Sequence, residues 1–162
     1  MKTIIRIACS FIWLAVIGVG PASETGASVG KTESVAESMR RLSGEIISAY
    51  ERRDAAALKG FYARQLKALF FWERRMSYSW EKIEQTMDEL VRLIAKIKLT
   101  TGEFRSGGSG NTGWFATTFH AERVTPEGQT ITSDGRWTVV AEKINGRWLI
   151  VHEHTSFPLP ER

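Results

Sequence analysis

The sequence has little cysteine, little proline and no large excess of charge of either sign. Of its 162 residues, one is cysteine and four are proline, and 22 Lys and Arg stand against 18 Asp and Glu. Such a composition fits neither a disordered acidic chain nor a collagen-like or low-complexity one. Because the single Cys9 lies in the first apolar run, the domain that follows it has neither a disulfide nor a thiol nucleophile.

The N-terminus combines a short basic stretch with an apolar run. Residues 7–19 are apolar apart from Ser10, a run shorter than the roughly 20 residues that a membrane span needs. Gly20, Pro21 and Ala22 then supply the small residues that a signal peptidase accepts. The pattern predicts a signal peptide over residues 1–22 and export to the periplasm or out of the cell. An uncleaved N-terminal anchor is the alternative.

The exported chain is predicted to be nearly neutral. Residues 1–22 contain Lys2 and Arg6 but no acidic residue, so cleavage lowers the net charge from +4 to +2. The remaining basic residues alternate with Glu on helical faces and form no basic stripe of the kind that phosphate binding needs. We therefore expect no nucleic-acid partner and, after signal cleavage, no membrane association.

The rest of the chain suits one compact domain between two short polar segments. Residues 23–33, rich in Gly, Ser and Ala, predict a flexible leader, and residues 159–162 a short tail. The domain itself is expected over residues 34–158.

Three amphipathic helices are predicted in the first half of this domain. The first begins at Ser34, which can form a capping box with Glu37, and the second begins at Asp54. The third begins at Ser79, and its apolar residues recur at steps of three and four up to Lys98. This stripe predicts a helix packed on a sheet and consists of Trp80, Ile83, Met87, Leu90, Ile94 and Ile97.

Alternation and turn residues predict β-structure in the rest of the domain. A short aromatic strand over residues 67–72 precedes the third helix. Helices first and strands afterwards predict an α+β domain, with helices on one face of a curved antiparallel sheet. The strands after the third helix are predicted over residues 99–105, 113–124, 129–144 and 147–157, with a loop over 106–112 and a break near Asp134 and Gly135.

The last predicted strand contains two histidines, two residues apart. Strict alternation places His152 and His154 on one face of the strand, together with Trp148, Ile150 and Ser156. A face that begins apolar and becomes rich in imidazole is typical of a strand that runs from a packed core into a polar pocket.

The Asn-Gly turn at residues 145–146 leaves two registers open for this hairpin. A two-residue turn places Trp137 opposite His154 and Val139 opposite His152. A three-residue turn instead places Arg136 opposite His154 and Thr138 opposite His152. The first register surrounds the imidazoles with aromatic residues, and the second places a permanent cation beside them.

The hairpin sequence also resembles a known family. GRWTVV at residues 135–140 and KINGRWLIVHEHTS at residues 143–156 are similar to the closing hairpin of SnoaL-like domains. These domains belong to the nuclear transport factor two-like superfamily, which includes ketosteroid isomerases and the association domain of the calmodulin-dependent kinase. The resemblance extends over residues 34–158 and includes YERRDAAAL at residues 50–58.

The resemblance implies a cone-shaped α+β fold, in which a curved antiparallel sheet packs against three N-terminal helices. It implies a homodimer formed through the sheet and a pocket between sheet and helices. It also favours the register that places Arg136, Thr138, His152 and His154 along that pocket.

The resemblance does not imply one activity, because this fold hosts isomerases, cyclases, dehydratases and binding modules. In ketosteroid isomerases, a Tyr of the first helix and a carboxylate in or just after the following strand transfer the proton. The equivalent helix position here is near Ile46, and the strand contains no acid before Glu73. We therefore do not expect this chain to transfer a proton through such a Tyr and carboxylate pair.

Three interpretations of the His pair remain open. Two neighbouring imidazoles can act as general acid and base near neutral pH. They could also bind a metal with His120 or Glu122, although we expect neither a metal nor another cofactor. In the third interpretation, His152 and His154 shape a binding pocket by hydrogen bonds and do not react.

Arg136 and several aromatic residues are the candidate ligand contacts. A guanidinium can hold a carboxylate through two hydrogen bonds, although an internal ion pair with Glu122 or Glu153 would occupy Arg136 equally well. The aromatic side chains could contact a ring or simply pack in the core. The full set of predicted ligand-binding residues is Arg136, Thr138, Tyr62, Phe71, Trp72, Trp80, Trp114 and Glu122.

The sequence therefore predicts an exported, homodimeric domain that binds a small organic molecule, anionic or ring-containing, between sheet and helices. A cofactor-free isomerase, dehydratase or hydrolase with His152 or His154 as acid or base is the first alternative. A structural dimerisation module is the second.

Overall fold

The computed structural model describes residues 33–64, 69–72, 75–77 and 79–158. In the short segments 69–72 and 75–77, the only side chain described is that of Phe71. The predicted signal peptide, residues 23–32 of the leader and the tail over residues 159–162 lie outside the described residues. All the described residues belong to one compact unit.

Three helices form where the capping residues predict them. The Ser34 hydroxyl accepts from the Glu37 backbone N–H at 3.2 Å, and the Glu37 carboxylate accepts from the Ser34 N–H at 2.8 Å, which confirms the capping box. Asp54 accepts from the Ala57 N–H at 2.9 Å and begins the second helix. The helices are α1 (Val35–Glu51), α2 (Ala55–Gly60) and α3 (Trp80–Leu93).

Six strands form one curved sheet in the order β2-β1-β6-β5-β4-β3. The α+β prediction is confirmed, but the sheet is mixed, because β1 runs parallel to β6 while the other neighbours are antiparallel. The strands are β1 (Leu69–Trp72), β2 (Arg75–Ser77), β3 (Lys96–Ser109), β4 (Thr112–Val124), β5 (Thr130–Ile144) and β6 (Arg147–Ser156).

The third helix is shorter than its apolar stripe predicts. It ends at Leu93, Ile94 has extended dihedral angles, and β3 begins at Lys96. Ile94 and Ile97 pack with Leu90 in one small cluster. The three- and four-residue spacing therefore continues across a helix-to-strand connection, because both elements cover the same apolar surface.

β3 and β4 are longer than predicted. Most of the predicted loop over residues 106–112 belongs to the β3–β4 hairpin, which turns at Gly110 with φ of 57°. Cross-strand pairing also continues through Asp134 and Gly135, so β5 has no break.

Most of the core lies between α1 and the middle of the sheet. Side chains of α1, α2 and α3 pack there against inward residues of β4, β5 and β6. The fully buried members with the largest side chains are Phe115, Met39, Ile46, Leu58, Met87, Ile150 and Val139.

The hairpin between β5 and β6 differs from both predicted registers. Its turn has two residues, since Ile144 pairs with Arg147. A β-bulge then adds Val151 to β6, so Thr138 pairs with His154 and Val140 pairs with His152. Both predicted pairings of the histidines are therefore wrong, because strict alternation makes no allowance for an extra residue in one strand.

Candidate functional site between the helices and the sheet

A cavity of about 80 Å³ lies between the helices and the inner face of the sheet. This is several times the ~10–15 Å³ that one water molecule needs. Apolar side chains form most of its wall. The lining residues are Ile47, Tyr50, Phe71, Met87, Leu90, Ile94, Ile97, Leu99, Thr101, Phe119, Ala121, Arg123, Ser133, Trp137, Glu153, Thr155 and Phe157.

The β6 bulge determines which residue of the last strand reaches this cavity. Ile150 is buried before the bulge, and Glu153, three residues later, is buried after it. Strict alternation from Ile150 would instead bury His152 and His154. The bulge changes the alternation of β6, and the residues that face inward beyond it are Glu153 and Thr155.

Glu153 is a carboxylate in an apolar interior. It is 5% exposed, and it accepts 2.6 Å hydrogen bonds from the Tyr62 hydroxyl and the Trp137 indole N–H. Burial raises the pKa of Glu153 to about 7, and these two hydrogen bonds oppose the shift. The group therefore exchanges its proton near neutral pH, as a general acid or base must.

Two tyrosines lie beside this carboxylate. The Tyr62 hydroxyl donates to Oε2 of Glu153, and Tyr50 lines the cavity. Burial, followed by the charge of Glu153, raises the pKa of both phenols. Both are therefore neutral hydroxyls at physiological pH, able to donate a hydrogen bond.

Arg123 is the only cationic side chain in the lining of this cavity as described. Its Nη2 donates to the Ser133 hydroxyl at 2.8 Å, which fixes the plane of the guanidinium. Its Nε is buried and has no hydrogen-bond partner among the described residues. A buried N–H without an acceptor costs about 1–3 kcal/mol, which a bound acceptor would recover.

The predicted catalytic histidines lie on the other face of β6. His154 is exposed, His152 is half-buried, and their rings lie 5.8 and 6.0 Å from the Phe71 ring in edge-on contacts. Phe71 is the one predicted residue that both contacts the histidines and lines the cavity. A role of the histidines in catalysis stays a prediction, and the cavity lining does not include them.

Arg136 and Thr138 also lie outside the cavity lining. Both belong to β5 and alternate with the buried residues Gly135, Trp137 and Val139. Their placement along the pocket followed from a register that the structure does not have.

The other predicted contacts are dispersed. Tyr62 is buried behind Glu153, and Trp80 packs against the core with the Arg64 guanidinium 4.6 Å from its ring. Trp114 is 42% exposed, and Glu122 is exposed on β4. Trp72 belongs to β1, but its side chain lies outside the described part of the chain.

A second, open depression of about 330 Å³ includes the outer-face residues Arg136, His120 and Asp134. His120 Nδ1 lies 2.9 Å from Asp134 Oδ1. Across residues 33–64, 69–72, 75–77 and 79–158, no three His, Cys, Asp or Glu side chains form a group that could hold a metal ion.

Arg123 and Glu153 were not among the predicted site residues. A signal for Arg123 exists in the sequence, because it continues the inward series Phe115, Thr117, Phe119 and Ala121 at period two, where a cation is unexpected. Glu153 has no such signal, since the bulge that turns it inward leaves no mark in the periodicity.

Comparison with known proteins identifies the family. The sequence profile of the SnoaL-like domain matches residues 40–160, and the chain belongs to this family. No curated protein sequence matches the chain. In the described part of the chain, no helix is long and apolar enough to cross a membrane.

Solved structures share the fold at low sequence identity. A nuclear transport factor 2 superfamily protein from Salmonella enterica is 22% identical, with a TM-score of 0.70 over 79% of this chain and 94% of that one. A protein from Streptomyces avermitilis, provisionally named as a dehydratase of this superfamily, is 13% identical, with a TM-score of 0.69 over 77% and 97%. A provisionally named kinase II association domain from Xanthomonas campestris is 19% identical, with a TM-score of 0.68 over 78% and 89%.

Proposed function

We propose that this SnoaL-like domain is exported and binds one small, largely apolar organic molecule in the cavity between α3 and the sheet. The observation that supports the proposal is the composition of the wall, in which apolar side chains surround a few polar groups. Small-molecule sites commonly have this composition.

The polar groups of the wall indicate which functional groups the bound molecule carries. Glu153 has lone pairs beyond those that Tyr62 and Trp137 use, and near neutral pH it can accept or donate a hydrogen bond. The Tyr50 hydroxyl lies beside Tyr62 and Glu153 and adds a second polar group at the same end of the cavity. A hydroxyl or carbonyl on an apolar skeleton fits this arrangement.

Filling the cavity tests the proposal. Ala121 is buried in the cavity wall on β4, whereas Ala116 faces the other way on the same strand. In Ala121→Phe the new ring occupies the cavity, and Ala116→Phe is the matched control. Native mass spectrometry of protein purified gently from its own cells would show a bound molecule in the wild type and in the control.

The expected result is loss of the bound molecule in Ala121→Phe alone. Thermal-shift screening of small acids and ring compounds would follow, with a shift again absent from Ala121→Phe. A wild type without a bound molecule, whose melting temperature no compound changes, would refute the binding proposal and favour the dimerisation module.

A cofactor-free isomerase, dehydratase or hydrolase is the second candidate, and the pKa of Glu153 favours it. We assign the acid or base role in this candidate to Glu153, because His152 and His154 are absent from the cavity lining. Ring ketones and hydroxy acids incubated in D₂O would report proton abstraction as deuterium uptake. Uptake that Glu153→Gln abolishes and His154→Gln preserves supports this candidate; the reverse result assigns the role to the histidine.

The proposed homodimer would form through the outer face of the sheet. Trp114 is 42% exposed on that face and pairs across the strands with Val140, which itself pairs with His152. Light scattering after size exclusion should give a dimer for the wild type and a monomer for Trp114→Glu. A monomeric wild type would contradict the proposal.

A further inference from the structure

We infer that the cavity takes a monocarboxylic acid with an apolar tail and that Arg123 binds the carboxylate. This inference rests on the proposed function and specifies its ligand class. The observation behind it is the state of the guanidinium, whose Nη2 donates to Ser133 while its buried Nε has no partner among the described residues.

No carboxylate among the described residues pairs with Arg123, so its charge is available to a ligand. No carboxylate of the described residues lies within ion-pair distance of it, although Glu122 is its neighbour on β4. The side chain is half-buried and its Nε is fully buried, and a cation removed from water is normally paired. A ligand carboxylate that accepts from Nε would supply both the missing acceptor and the missing charge.

The strand register keeps the ligand carboxylate away from Glu153. Glu153 pairs with Val139, which pairs with Phe115, and Arg123 lies eight residues farther along β4 than Phe115. At ~3.3 Å per residue this is about 26 Å of strand, which the curvature of the sheet shortens in a straight line. The two charged groups therefore lie at opposite ends of the cavity, with apolar wall between them.

The apolar wall next to Arg123 defines the other half of the ligand. Phe119 and Ala121 precede Arg123 on the same face of β4, and Ile97, its cross-strand partner on β3, packs with Leu90 and Ile94 in the small cluster. A flexible aliphatic tail or a single ring can lie along this surface. Dicarboxylates do not fit, because Arg123 is the only cation in the described lining and a second carboxylate would be desolvated without a counter-charge.

A matched pair of probes isolates the carboxylate. Hexanoate and hexanamide share shape and tail, but only hexanoate carries the charge. Isothermal titration calorimetry at pH 7 should give tighter binding of hexanoate, on the order of 10- to 100-fold. Arg123→Met should remove this preference and leave hexanamide affinity within about two-fold.

Two further variants separate a specific contact from a general charge effect. Arg136→Met removes an exposed arginine from the other face of the sheet and should leave the preference unchanged. Ser133 acts as a positioning residue, so Ser133→Ala should reduce the preference for hexanoate by several-fold without affecting hexanamide. Arg123→Lys keeps the charge and should still lose most of the preference, because it lacks the planar fork.

An NMR measurement on the wild-type protein tests the inference without depending on the folding of any variant. In a ¹⁵N-labelled sample, the Nε–H resonance of Arg123 should move downfield on addition of hexanoate and not on addition of hexanamide. Equal binding of the two probes with an unmoved Nε–H resonance would overturn the inference and leave the proposed function standing. Failure of both probes to bind would overturn the inference, and, with no bound molecule in native mass spectrometry, the proposed function too.

Discussion

The two faces of the β5–β6 hairpin differ more in chemistry than their sequence alternation indicates. The inner face presents Trp137 and Glu153, joined by a 2.6 Å hydrogen bond and buried against the core. The outer face presents Thr138 opposite His154, both more accessible to solvent. The titratable group in the protein interior is thus a carboxylate, and the imidazoles lie where water can solvate them.

This difference shows how far one extra residue can move a site. Without the bulge at Val151, the alternation that buries Ile150 would also bury His152 and expose Glu153. With the bulge, the carboxylate joins the interior, where burial raises its pKa to about 7. The location and the chemistry of the site therefore depend on the same irregularity of β6.

The largest expected effect comes from removing the aromatic ring on the inner face. Trp137 packs edge-on against Phe115, with 4.8 Å between ring centroids, and donates to Glu153. Trp137→Ala should lower the free energy of unfolding by about 4–5 kcal/mol, because it leaves a cavity and removes that hydrogen bond. Urea denaturation measures this loss, and Arg136→Ala on the outer face is the control. Similar losses in both variants would contradict the contrast between the faces.

The second effect is a pH dependence that originates on the inner face alone. The pKa of Glu153 is raised in the folded state, so the folded state binds the proton more tightly than the unfolded one. Stability is therefore greatest below the unfolded pKa of 4.5 and falls as the pH rises through about 7. The loss should approach about 3 kcal/mol between pH 4 and pH 8, on the order expected from the shift.

Glu153→Gln should flatten this profile. Its amide can accept from the Trp137 indole and donate to the Tyr62 hydroxyl, so the packing is retained without a titrating group. Urea denaturation of both proteins between pH 4 and pH 8 would measure how stability depends on pH in each. A profile that Glu153→Gln leaves unchanged would assign the dependence to another group.

Deleting Val151 tests the bulge directly, with a smaller expected effect. In the shortened strand, plain alternation from Ile150 places Glu153 inward again. We expect a loss within the ~0.5–3 kcal/mol of ordinary substitutions, because the local bend is lost, and we expect the pH dependence to persist. If the pH dependence disappears, the bulge does more than determine which residues of β6 face inward.

The smallest effects are expected on the outer face. His152→Gln and His154→Gln should each change the free energy of unfolding by no more than about 0.5 kcal/mol, since neither side chain is buried. Thermal denaturation of both variants at pH 5 and pH 8 measures this. A loss comparable to that of Trp137→Ala would show that the imidazoles stabilise the fold.

Much of the fold could be predicted from local signals. The caps at Ser34, Asp54 and Ser79 begin the three helices, and the Asn-Gly turn closes the last hairpin. These succeeded because a cap or tight turn is decided by a few neighbouring residues. The end of α3 was predicted too late, since the apolar surface continues from Leu90 to Ile97 across the change from helix to strand.

The site could be predicted only in part. The prediction of a pocket between sheet and helices needed the fold alone, and of the predicted ligand contacts Phe71 lines the cavity. The polar residues were not found, because inward and outward positions depend on register. Arg136 and Arg123 are both strand arginines, and although Arg123 continues the period-two series of β4, only the structure shows that it lines the cavity while Arg136 does not.

The sequence by itself determined the helix starts, the strand-rich second half and the membership of the SnoaL-like family, because these depend on local patterns and on a recognisable hairpin. The tertiary structure decided that Glu153 and Arg123 line the cavity while His152 and His154 do not. A bulge is stable only when neighbouring strands and the packed core accept the extra residue, so its position is a property of the assembled sheet.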